Sequence, residues 1–247
     1  MSTSATKGRL PDCFDRTLFP ETTAARIYVE MAQQGMLLSQ NSQSLQERNL
    51  VSPNGGLCAS TCITNLIGAM TAQYQNFRQF PARAPDITHW VVNVYNSYTG
   101  LDARMGANVN VMADILLGLY PQILDKLYYD SLLAQLDLQL HRFDEEIYVH
   151  RIFQAMRQDS LAIATVVAHK PHEFGSGDAH AIILLKVDTD KNQLYISDPN
   201  LPNEILRVPY RFHHGTDIVF NVPFTFGEHA VELRQVNIFR RILTDIK

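Results

Sequence analysis

Three runs in the second half of the chain are apolar and rich in β-branched residues: LAIATVVA (161–168), AIILLKV (181–187) and QLYIS (193–197). Continuous apolar runs of this length predict buried strands. Asp188 to Asn192 predicts a tight turn between the second and third. Further strands are expected at 204–208, 217–222 and 231–239.

The first half carries helical spacing instead. A helix over 22–38 is expected from Ala24, Ile27, Met31 and Met36, capped by Thr22 or Thr23. Residues 39–56 are polar and end in the turn signal Pro53-Asn54-Gly55-Gly56. Cys58, Cys62, Leu66 and Ala69 then fall on one face of a helix running to about Gln73. Residues 86–99 look helical or mixed. Asn110 can cap a helix from Val111 to Tyr120, which Pro121 stops. Residues 122–158 are expected to be mostly helical. Helices followed by an antiparallel meander make an α+β pattern, unlike the alternating order of a nucleotide-binding sheet.

Composition narrows the classes. With 247 residues, 46% of them hydrophobic and 19% charged, the chain can bury a full core. The formal net charge of −4 argues against general nucleic-acid binding. Cys13, Cys58 and Cys62 are too few for a disulfide framework. No apolar run approaches the roughly 20 residues of a membrane span. The polar start, Met1 to Arg9, lacks the apolar centre of a Sec-type signal peptide. A soluble cytoplasmic protein is the expectation, with export by a system lacking such a signal as the alternative. His169, His172, His180 and the pair His213-His214 come with no HExxH and no nearby cysteine, so no metal and no other cofactor is expected.

Three residues suggest chemistry together. Cys58 follows a Gly-Gly turn and opens an apolar helix. Unpaired N–H groups and the positive end of the helix dipole favour its thiolate, the nucleophilic form. His180 stands where a polar loop enters the strand AIILLKV, a suitable place for a general base. Asp198 ends the next strand, ahead of Pro199. Pairing about the turn puts residue 198 roughly opposite 183, and a bulge would bring it beside His180, where a carboxylate orients an imidazole. Taken singly, each has a plainer explanation: a packed thiol, a hydrogen-bonded histidine, an Asp-Pro turn. Cysteine, histidine and aspartate in this order, on these elements, are what thiol acyl transfer requires.

The stretches NGGLCASTCITNLI and DAHAIILLKVDTDKNQLYISDPN resemble the nucleophile helix and the His-strand-turn-strand-Asp segment of papain-like cysteine peptidases. The similarity is closest to the double-glycine-leader (bacteriocin-processing) peptidase group and covers about 14 residues around Cys58 and about 40 around His180. It implies a papain-like α+β fold, with a helical N-terminal half carrying the nucleophile helix against a C-terminal antiparallel sheet. It also implies a catalytic domain over 46–247 with a helical insertion at about 75–158, preceded by an arm and helix over 1–45. Ala59 stands where the family has glycine, and no glutamine occupies the family's oxyanion position. Ser52 and Asn54 are the polar candidates there, and Asn54, whose amide can donate as a glutamine's does, is the expected donor beside the Cys58 N–H.

The function so implied is cysteine hydrolysis, most simply of a peptide or protein, through a thioester formed on Cys58. Two alternatives use the same residues: an acyltransferase of transglutaminase or phytochelatin-synthase type, and an inactive papain-like binding protein. Cys62 is expected to support the nucleophile helix, and Cys13 has no assigned role.

Overall fold

Residues 23–52, 56–71, 79–128, 136–143, 149–156, 159–168, 179–213, 217–224 and 227–243 are described by the structure, a computed structural model. Helices α1 (Ala24–Gln33), α2 (Gln43–Gln46), α3 (Cys58–Thr71), α4 (Phe80–Thr99) and α5 (Val109–Tyr128) come first. Then follow β1 (Leu136–Phe143), α6 (Val149–Ala155), β2 (Ser160–Ala168), β3 (Ala179–Asp188), β4 (Gln193–Ser197), β5 (Ile205–His213), β6 (Asp217–Phe224) and β7 (Gly227–Leu243).

All strand pairs are antiparallel, in the order β1-β7-β2-β3-β4-β5-β6, and β6 pairs in turn with β7. Six strands, β2 to β7, therefore close on themselves, and β1 is an extra strand outside the ring. This overturns the expected papain-like arrangement of helices on a sheet. The cause is β7. One of its edges pairs with β2 from Val231 to Arg240. The other edge is divided, with Gly227–Glu232 on β6 and Val236–Leu243 on β1. An irregularity at Arg234, where Thr165 pairs with Gln235 but Val166 with Leu233, separates the two halves. Such a bulge bends a strand and raises its twist, which closure demands.

The apolar runs serve two cores because strand side chains alternate. Inside the ring lie Ala162, Ala164, Ile182, Leu184, Ile196, Phe220 and Ile238, joined by Ile152 of α6. On the outside, Leu161, Ile163, Ala181, Ile183, Leu185 and Tyr195 pack with the helices. α3 lies between these layers. Every one of its residues is buried, against α1, α4, α5, β2 and β3. Gly68 allows α4 to approach, since a Cβ there would stand 2.5 Å from the Phe80 ring. α1 belongs to the same core through Tyr28, Met31 and Ala32.

Three local expectations are corrected. Residues 136–143 form a strand, not helix. Asn108 caps α5 in place of Asn110: its Oδ1 accepts from Asn110 N at 2.9 Å and Val111 N at 3.3 Å. Pro121 does not stop that helix, which runs on to Tyr128. Its missing N–H frees the Leu117 carbonyl, and both Leu117 and Gly118 are exposed, so water can satisfy it. Thr23 caps α1, its hydroxyl accepting from Arg26 N.

Candidate active site

α3 begins at Cys58, the position with the most unpaired N–H groups. β3 and β4 form the hairpin beneath it. Their register changes by one residue at Leu185: Lys186 stands opposite Tyr195, but Leu184 stands opposite Ile196. Ser197 thus faces Ile183, and the same register carries residue 198 to Ile182, on the side-chain parity of His180. The expected placement of Asp198 opposite 183 is off by this one bulged residue.

His180 Nε2 lies 3.0 Å from Asp198 Oδ1. A carboxylate only accepts, so Nε2 donates. The same ring hydrogen-bonds the Cys58 side chain. Since Nε2 is engaged by Asp198, Nδ1 is the nitrogen left for sulfur. Cys58 is buried, the His180 side chain is 20% exposed and that of Asp198 1%. Solvent meets the histidine and not the carboxylate.

β4 ends opposite Ile183, so Ala181 has no β4 partner. On that side, away from its β2 partner Thr165, its backbone meets the cysteines. The Ala181 N–H donates to Cys58, and its carbonyl accepts from Cys62 Sγ at 3.5 Å.

Burial pushes the Cys58 thiol up, but the hydrogen bond and charge of His180, with N–H donors at Ala181 and Ala59, outweigh it and leave the thiol below its ordinary value. Burial pulls His180 down, yet Asp198 and Cys58 together push it up to about 10. The two shifts describe one state, thiolate beside imidazolium. Cys62 moves the other way. Burial first, then the charges of Cys58 and Asp198, raise it well above the ordinary thiol value, so it remains a neutral packed group.

Asp198 is held from behind. Asn200 N and Nδ2 donate to Asp198 Oδ1 at 2.8 and 3.1 Å. Next to it, Tyr28 donates to Ser197 Oγ at 3.1 Å, and Ser197 Oγ donates to Pro202 O at 3.1 Å. Asn65 of α3 ties the segment after α1 through both directions of one amide: Leu38 N to Oδ1 and Nδ2 to Leu38 O, each 2.9 Å. Sequence reasoning missed Tyr28, Asn65 and Asn200. For Asn200 a signal exists, because Asp-Pro-Asn is a turn in which the aspartate accepts from the backbone two residues on. Tyr28 and Asn65 reach the site only through tertiary contact.

Cys58, His180 and Asp198 are therefore brought together, while Asn54 lies outside the described residues, as do Cys13, His169, His172 and His214. No group of three or more histidine, cysteine or acidic side chains suited to a metal occurs among the described residues. No described helix is long and apolar enough to cross a membrane. No protein-family model matches the chain, and no curated protein matches it in sequence.

Proposed function

We propose that the protein is a cysteine hydrolase acting on amide bonds of a peptide or protein. One observation carries the reading: a single imidazole joins a buried cysteine at a helix start to a buried aspartate. Cys58 thiolate attacks the carbonyl carbon, and the oxyanion forms at the first turn of α3, whose leading N–H groups have no intrahelical carbonyl to bond. The imidazolium of His180 gives its proton to the departing amine. A thioester remains on Cys58. His180, now neutral, takes a proton from water, hydroxide attacks the thioester, and the acid leaves. Asp198 keeps the ring oriented and stabilises its cationic form.

The direct test is a peptidyl fluoromethyl ketone, read by intact mass and peptide mapping, together with hydrolysis of a peptide library. An adduct on Cys58 and cleavage that both vanish in Cys58→Ala and His180→Ala support the proposal. An adduct no faster than with free cysteine, together with an uncleaved library, overturns it.

A further inference from the structure

Asp198 Oδ1 receives three donors: His180 Nε2 at 3.0 Å, Asn200 N at 2.8 Å and Asn200 Nδ2 at 3.1 Å. Asp198 Oδ2 is buried and has no hydrogen-bond partner among the described residues. No hydrogen bond from a described residue therefore fixes the second oxygen, and the hydrogen bonds that orient the carboxylate are those on the first. The Asn200 amide is itself fixed. Its Oδ1 accepts from Gln40 Nε2 at 2.5 Å and Asn41 Nδ2 at 3.0 Å, which leaves Nδ2 as the end that points to Asp198. The backbones are joined as well, by Gln40 N to Pro199 O at 2.9 Å, and the Ser39 hydroxyl donates to Asn200 O at 3.5 Å. Residues 39–41, which lead out of α1, thus clamp the turn that carries Asp198.

We infer that Asn200 is a positioning residue of the site, aiming the Asp198 carboxylate at His180, and that Gln40 sets Asn200. The inference rests on the reading of Cys58, His180 and Asp198 as a reactive set. A purely structural Asn200 would act through its Oδ1, as the acceptor that ties residues 40 and 41 to the turn. A positioning Asn200 acts through Nδ2, as a donor to Asp198. Asn200→Asp separates the two. It keeps the shape and the acceptor and replaces the donor by a second carboxylate against Asp198.

The experiment is the rate of Cys58 alkylation by iodoacetamide against pH, in the full chain, for wild type, His180→Ala, Asn200→Asp and Gln40→Leu. Native fold is checked by circular dichroism. In wild type the rate should reach its plateau below the pH of an ordinary thiol. In Asn200→Asp the rise should move to higher pH, with a fall of about tenfold or more in rate on the acid side, as expected for losing one hydrogen bond to a charged group. Gln40→Leu should move the rise in the same direction by less. Native Asn200→Asp and Gln40→Leu proteins that keep the wild-type profile overturn the positioning role. If Asn200→Asp does not fold, Gln40→Leu alone decides, and a wild-type profile there overturns it. A wild-type profile already ordinary, and unmoved by His180→Ala, refutes the reactive set itself and is told apart by that variant.

Discussion

Ala181 offers its N–H to Cys58 and its carbonyl to Cys62, so one residue of β3 treats two cysteines of α3 in opposite ways. The donor stabilises a thiolate, and the acceptor stabilises a thiol. The two sulfurs are one helical turn apart and both buried, yet their chemistry is expected to diverge.

Cys62 should therefore be silent in the native protein. Brief alkylation at neutral pH followed by peptide mapping should label Cys58 and leave Cys62 unmodified until denaturant is added. Equal labelling of the two in the folded protein would refute this assignment.

Removal of His180 should reverse the Cys58 shift. Burial alone raises a thiol, and His180 is the leading opposing influence. In His180→Ala the apparent thiol pKa, read from thiolate absorbance on titration, should rise past the ordinary value of 9.0. A midpoint still below that value would show that the backbone donors suffice without the histidine.

The pair should also give stability a level stretch in pH. His180 is raised from 6.5 to about 10, so its contribution is full below 6.5 and is lost as pH rises through about 10. Cys58 is lowered from 9.0, so its contribution is full above 9.0 and is lost as pH falls through its lowered value. From the lowered Cys58 value, or from 6.5 if that is higher, up to 9.0, the folded pair holds one proton and the unfolded chain holds one, and the slopes cancel. Denaturation midpoints for wild type minus Cys58→Ser should be flat there and decline on both sides. The absence of any level stretch below pH 9.0 would contradict the ion pair.

Gly68→Ala should destabilise the α3–α4 contact, because the new methyl meets the buried Phe80 ring. Overpacking costs about 1–3 kcal/mol and helix propensity returns about 1, for a net loss of up to about 2 kcal/mol. A urea double-mutant cycle with Phe80→Leu should recover most of it. Additive costs would mean that the ring is not the obstacle.

The strand runs were legible because burial on both faces leaves continuous apolar sequence. β2, β3 and β4 fall within a few residues of the runs at 161–168, 181–187 and 193–197. β1 was missed although Leu136, Leu138 and Leu140 alternate with Asp137, Gln139 and His141, a strand period inside a stretch read as helical. Ring closure had no local signature. It depends on Val219 meeting Glu232 while Val236 meets Phe143, a choice of partners made by β7 over long separations. The cysteine, histidine and aspartate were legible as types on elements. Their meeting depended on the bulge at Leu185, which a hairpin sequence does not announce.

The divided edge of β7 has a consequence for the order of assembly. Before that strand is in place, β2 and β6 both end the sheet with a row of free backbone donors and acceptors, and the apolar lining of the ring faces water. Such edges are templates for pairing with other chains. A nascent or clipped chain that stops short of Gly227 should then be prone to stick to its own kind, because β7 is the strand that seals the ring.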